Sequence, residues 1–323
     1  MVSEVESGKI MSGSQYLTCL ICNSDELEIS GLHNDRRKGL AGSWSLYECK
    51  QCGVIAIYPP PSEVELSEYY SVYSHDQSVT FSPRAGSRHP LLRKLFHRLT
   101  GEVDPRDFIE PGANSTMLDY GCGEAGCLYD FHARGVKISG AEISSEMVNA
   151  CNKAGLDVRQ VTNPDHIPFE NNVFDIVYLM QVFEHLRNPH GFFIELLRVM
   201  KADGVLYMAV PNSKSVWKKV FGRNWVSGWF APFHLFHYDK ESLSQLARQH
   251  GFDVLESWSR TPESWFRLNV KAWLYPNEVK LDERASVLDS NLVRFPLMIV
   301  LRILELFIQQ RDCLVIKLVK RGI

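Results

Sequence analysis

Met117-Leu-Asp-Tyr-Gly-Cys-Gly-Glu-Ala-Gly126 is the stretch on which the reading of this chain turns. An apolar start runs into Asp119, Gly121, Gly123 and Gly126, the form of a strand that turns into a helix around a nucleotide. Glycine belongs at such a turn because a Cβ would obstruct the approach of a helix N-terminus to a bound group, or because φ must be positive.

The spacing alone also serves nicotinamide and flavin cofactors, so the flanks decide. Asp119 stands just before the first glycine, where a carboxylate at a strand end reaches an amino group or hydroxyl but repels a pyrophosphate. That favours a cofactor without phosphate. Glu142 closes a second apolar run, Val136 to Ala141, and an acid about 20 residues beyond the first glycines is placed to accept hydrogen bonds from ribose hydroxyls. The site therefore asks for a ribose and tolerates a cation.

Downstream come Ile167-Pro-Phe-Glu-Asn-Asn-Val-Phe-Asp-Ile-Val-Tyr178, Val182-Phe-Glu-His-Leu186 and Gly204-Val-Leu-Tyr-Met-Ala-Val-Pro-Asn212. With these four motifs in order, residues 115–213 resemble the class I S-adenosylmethionine-dependent methyltransferases. The resemblance implies that the loop of Gly121, Cys122, Gly123 and Gly126, beside Asp119, holds the methionine part of the cofactor, that Glu142 holds the ribose, and that the segment after the third strand meets the adenine. Where the family usually has an aspartate in that segment this chain has Asn163, with Asp165 nearby, and either suits the adenine amino group. Glu184-His185 falls where the family presents residues to the methyl-accepting atom. An imidazole there suits a general base, while the same pair also serves simply to cap the turn. Some relatives bind a divalent ion through an acid at the position of Gln181; a glutamine there removes the charge, so no magnesium is expected, and Gln181 is grouped with the cofactor-facing strand ends.

Elsewhere, Cys19-x-x-Cys22 and Cys49-x-x-Cys52 offer four thiolates in two knuckles, the pattern of tetrahedral structural zinc. Asn23 and Gly53 follow the knuckles and accept the left-handed turn that knuckles require. Cys127, Cys151 and Cys313 read as packing residues, as does the thiol of Cys122. The 323 residues, 45% hydrophobic and 23% charged with a net charge of −3, exceed one domain and carry no basic field for nucleic acid. With no N-terminal leader and no run of about 20 apolar residues, a cytoplasmic location is expected.

The expected architecture is α/β, a Rossmann-like seven-stranded methyltransferase sheet with a small N-terminal zinc ribbon. Four segments follow: zinc ribbon 1–62, linker and capping helices 63–110, cofactor-binding core 111–260, and a hydrophobic lid insertion with a final antiparallel strand 261–323. Residues 63–73 read as a tyrosine-bearing helix and 74–88 as a mobile loop. Segment 89–99 reads as an amphipathic helix whose Leu91, Leu92, Leu95, Phe96 and Leu99 should cap the sheet. After Asn212 a stretch dense in rings, with His234 as a second acid/base candidate, suits a hydrophobic or sugar-like acceptor or forms ordinary core. The apolar segment 292–310 suits a lid, a dimer contact or peripheral contact with the inner face of a membrane. The expected reaction is methyl transfer to a small-molecule or lipid-linked acceptor, foremost an oxygen of a glycan intermediate. Carbon methylation of a sugar or aromatic ring, and a non-catalytic binding protein, are the alternatives.

Overall fold

The computed structural model describes residues 4–6, 9–12, 15–75 and 89–322. In chain order, a three-stranded sheet of β1 (Glu4–Glu6), β2 (Lys9–Ser12) and β3 (Gln15–Tyr16) precedes β4 (Leu27–His33), β5 (Trp44–Cys49), β6 (Ile55–Ile57), α1 (Glu63–His75) and α2 (Pro90–Thr100). Then come β7 (Thr116–Tyr120), α3 (Gly126–Ala133), β8 (Lys137–Glu142), α4 (Ser145–Lys153), β9 (Asp157–Gln160), β10 (Phe174–Met180), α5 (Pro189–Val199) and β11 (Met200–Pro211). The chain finishes with α6 (Val216–Phe221), α7 (Val226–Trp229), β12 (Phe236–His237), α8 (Lys240–Gln249), β13 (Phe252–Arg260), α9 (Glu263–Leu274), α10 (Asn291–Leu304) and β14 (Cys313–Lys320). Beyond residue 75, the loop read at 74–88 lies outside the described residues.

These elements make two compact units, each drawn from separate stretches of chain. One comprises Ser78–Val210, Ala247–Glu263 and Cys313–Ile323; the other comprises Met1–Gln77, Pro211–Leu246 and Ser264–Asp312. This partition departs from the four consecutive segments expected, because strands and apolar faces distant in sequence complete one another's cores.

The first unit holds a seven-stranded sheet in the order β13-β14-β11-β10-β7-β8-β9. β11, β10, β7, β8 and β9 run parallel, and β14 closes antiparallel against β13, as the sequence led one to expect. From β7 the chain fills one side of the sheet, then jumps to β10 on the other. That reversal opens a crevice at the carboxyl ends of β7 and β10, where ligands of such sheets bind. Asp175 of the second motif accepts from Thr116 N and Oγ1, both at 2.8 Å, and from Lys201 Nζ at 2.7 Å, tying together the starts of three strands. Met117, Leu128, Phe131, Ile138, Val158 and Tyr178 fill the core beneath.

α2 reverses one expectation. Its leucines and Phe96 are exposed, while Arg93 and His97 face an aspartate cluster, Asp104, Asp107 and Asp130. Covering the stripe would pull Arg93 and His97 off the partly buried Asp107, a loss that opposes the gain from burying five apolar side chains.

In the second unit β12 adds to the cysteine-box strands, giving a sheet in the order β12-β6-β5-β4. One core joins Leu46, Ile55 and Ile57 of that sheet to Trp217, Trp225, Trp229, Phe266 of α9 and Leu301 of α10. Arg36, in the β4–β5 loop, donates to the carbonyls of Ala272 and Tyr275, at 3.0 and 2.6 Å, and so binds the last carbonyls of α9. The inner face of α10 is thus core; its outer face, with Leu292, Phe295, Ile299, Ile303 and Phe307 beyond the helix end, is exposed. Among the described residues, no helix is long and apolar enough to cross a membrane.

Leu301 is fully buried at the centre of this shared core. Leu301→Ala is therefore expected to cost about 2–5 kcal/mol, measured by urea unfolding; a cost near zero would mean that α10 is not part of the core.

Candidate active site and cysteine cluster

β7 is a short apolar strand whose last residues, Asp119 and Tyr120, are buried. The chain then turns at Gly121, with φ +78°, and a Cβ there would lie 2.5 Å from Val182 Cγ2. Gly121 N–H donates to Ala141 O at 2.8 Å, which brings the loop beside the end of β8. Gly123, at φ +49°, donates its N–H to Glu142 Oε2 at 2.9 Å. The other Glu142 oxygen accepts from Ile143 N at 2.7 Å and Ser144 N at 3.0 Å, so three amides fix the carboxylate at the strand end.

Around Gly123 and Gly126 a built Cβ would meet nothing within 4 Å, which leaves open ground at the start of α3. Acids flank it. Asp119 is pushed up to about 7 by burial, against the pull of the Tyr178 hydroxyl and with the Glu142 charge adding to the rise. A cationic ligand beside it would restore ordinary ionisation. This pair of acids around a glycine cradle fits the ribose and the positively charged methionine end of S-adenosylmethionine.

Other expected site residues divide. Cys122 turns its thiol into the core, beside Leu128 and close under Gly140, so only its backbone faces the loop. Asn163 Oδ1 accepts from Asp165 N at 2.9 Å and is committed to that turn. Gln181, just past β10, holds φ +58°, donates its amide to Ala209 O at 2.8 Å, and brings Nε2 within 3.3 Å of Cys313 Sγ. A glutamine in the left-handed region is uncommon and is held here by its surroundings. Glu184 is 0% exposed in the 3-10 turn Phe183–His185, and burial pushes its carboxyl up to about 8. At neutral pH it is mostly protonated and no proton acceptor; His185, next to it, is half-buried.

His234 belongs to the other unit. It is buried, and Nδ1 lies 2.8 Å from Gly228 O, an acceptor only, so Nδ1 carries a proton. Sequence reasoning missed Tyr178, which stands directly across from Asp119 in the β7–β10 register. Its position in an apolar strand reads as packing, and only strand pairing reveals its neighbour. It missed His237 too, a fully buried imidazole held by Trp229 O at 3.1 Å and pushed down to about 3 by burial.

The cysteine box assembles within the second unit. Cys19 and Cys52 sulfurs lie 3.6 Å apart, Cys22 and Cys49 sulfurs 3.5 Å apart, and all four within 4.8 Å of one another. Four sulfurs about a zinc ion at 2.3 Å would be spaced by about 3.8 Å, so the set fits that metal. The knuckles form as expected, with φ +61° at Asn23 and +74° at Gly53 and amide bonds back to Cys19 O and Cys49 O, both 2.9 Å.

Comparison with known proteins agrees with this geometry. A model of the methyltransferase domain matches residues 86–257, more than half of the chain. The chain belongs to that family, and the fold and strand-end acids place it among the class I S-adenosylmethionine-dependent methyltransferases. It is 32% identical over 136 residues to a ubiquinone biosynthesis O-methyltransferase of Maricaulis maris, covering 38% of this chain and 51% of that protein. It is 27% identical over 221 residues to the protein of that description in Roseobacter denitrificans, covering 64% and 88%. To the sterol 24-C-methyltransferase of Schizosaccharomyces pombe it is 35% identical over 105 residues, covering 30% and 27%.

The Glu184 carboxyl supplies a pH test. Its folded pKa lies above its unfolded value, so the stability it contributes is present below about 4.5 and is lost as pH rises towards 8. Glu184→Gln, which cannot ionise, should gain in unfolding free energy relative to the parent as pH rises from 5 to 8, on the order of a few kcal/mol across that span, measured by urea unfolding at each pH. A difference that stays constant with pH would show that the carboxyl is not held in an apolar setting.

Proposed function

We propose that this chain transfers the methyl group of S-adenosylmethionine to a hydroxyl oxygen of a small-molecule acceptor, one carried on a lipid or belonging to a glycan intermediate. The cofactor half rests on one observation: the open ground over Gly123 and Gly126, flanked by Asp119 and the amide-fixed carboxylate of Glu142. When bound, S-adenosylmethionine supplies an electrophilic methyl on a sulfonium. Asp119 offers a carboxylate to the charged end, Glu142 offers its remaining lone pairs to the ribose hydroxyls, and Asp165 is the acceptor for the adenine amino group, Asn163 being committed to its turn. His185 takes the acceptor's proton, because Glu184 beside it is mostly protonated at neutral pH.

Support for oxygen comes from the ubiquinone biosynthesis O-methyltransferases, and support for a lipid-like acceptor from these together with the sterol relative, which is itself a C-methyltransferase. The test is incubation with methyl-labelled S-adenosylmethionine and a panel of polyprenyl phenols and polyprenyl-linked sugars, with products read by mass spectrometry and NMR. An O-methyl product from either group, lost in His185→Ala while cofactor binding persists, is the expected result. A methyl group on carbon would move the reading to C-methylation. Cofactor binding with no turnover on any acceptor would favour a binding protein.

The four thiolates hold a structural zinc ion in this account. All four positions are sulfur, which leaves no place for a substrate or water. β6, directly after the second knuckle, pairs with β12, so the metal also braces the ring-rich segment that follows Asn212. Cys49→Ser should therefore lower bound zinc from one equivalent, measured by atomic emission, and lower the melting temperature with it; full stability in metal-free protein would remove the metal from the account.

A further inference from the structure

α2 carries its ion-paired charges inward and its apolar side chains outward. Leu91, Leu92, Leu95, Phe96 and Leu99 form one helical face and are between 43% and 82% exposed. The Arg93 side chain, 9% exposed, pairs with Asp107 and Asp130, and His97 Nδ1 lies 2.7 Å from Asp107 Oδ2 and 3.7 Å from Asp104 Oδ2. Turning the helix to cover its leucines would draw Arg93 and His97 away from these aspartates; Asp104 would keep Arg106 and Asp130 would keep Arg134, but Asp107 would lose both its partners while partly buried. The ion cluster therefore pins an apolar stripe to the surface. A helix of this kind is at home with its apolar face sunk at the boundary between lipid headgroups and acyl chains.

Charge beside the stripe selects the surface. Pro90–Thr100 contains Arg93, Lys94, His97 and Arg98 and no acidic residue. Lys94 and Arg98 are exposed, one turn apart along an edge of the stripe, and their long stems can lie on apolar surface while the heads reach phosphate. Together with Leu91 and Leu95 they line a groove of about 550 Å³ that Arg260 and Lys317 also line. Of the acids in that groove, Asp104 and Asp107 are paired with Arg106, Arg93 and His97, and Glu102 and Glu256 complete the set. In an antiparallel twofold contact through the same stripe these cationic edges would meet, which disfavours that dimer.

The geometry points to α2 as the element that seats this protein on an anionic phospholipid surface, with its leucines and Phe96 in the acyl boundary and Lys94 and Arg98 at the phosphates. This inference does not depend on the acceptor assignment.

The test is flotation of the full chain with vesicles of equimolar phosphatidylglycerol and phosphatidylcholine, and with phosphatidylcholine alone. The parent should float with the anionic vesicles and far less with the neutral ones. Leu92→Glu with Leu95→Glu, both on exposed positions, should abolish recovery with the melting temperature unchanged. Lys94→Gln with Arg98→Gln should weaken binding by about 25-fold, at about fivefold for each cation lost near an anionic surface. Three results would overturn the inference: no flotation of the parent, flotation untouched by the α2 variants but lost in Phe307→Glu, or self-association of the parent that Leu95→Glu disperses. These readouts use lipid alone, so they stand whether or not methyl transfer is detected.

Discussion

Gly121 is required twice over. The chain leaves β7 at φ +78°, and it does so against Val182, whose methyl would lie 2.5 Å from any added Cβ. Much of the site's shape depends on this turn. It lets Gly121 N–H reach the end of β8, carries Gly123 to the Glu142 carboxylate, and begins directly beyond Asp119 and Tyr120 at the end of β7. A single bulkier residue at 121 would displace the loop from both acids. The two carboxylates are unlike in setting: Glu142 is fixed by three amides, whereas Asp119 is buried and raised to about 7, so it is poised to respond to a cation.

Much of the sheet unit is legible in the sequence because its signals are local. Strand runs at 116–120, 137–142 and 174–180 are bounded by turn residues, and the acids fall at strand ends, so their convergence follows from a parallel sheet. Boundaries were less legible: β11 begins at Met200 rather than 204, because Met200 already pairs with Phe174 of β10. Tyr178 beside Asp119 could not be read, since its role is a matter of register between strands distant in sequence.

The cysteine unit shows the complementary limit. Its knuckles were readable from spacing and from Asn23 and Gly53, but not the company they keep. Nothing local in 211–312 announces that Trp217, Trp225, Phe266 and Leu301 will share a core with Leu46 and Ile57. For α2, periodicity identified the apolar stripe correctly and assigned it to the wrong side. The direction a helix faces is set by what its polar side meets, here three aspartates, two of them from the following turn at 104–107 and the third from α3. Patterning of one segment contains no information about carboxylates supplied by others.

The central claim is that Asp119 and Glu142, held by the turn at Gly121, recognise S-adenosylmethionine. Calorimetric titration of the folded protein with that cofactor, beside Glu142→Ala, tests it most directly. The account predicts saturable one-to-one binding in the parent and a loss of about tenfold or more in the variant, the effect of removing a charged hydrogen-bond acceptor. Equal affinity in the two proteins, or no heat of binding in the folded parent, would contradict it.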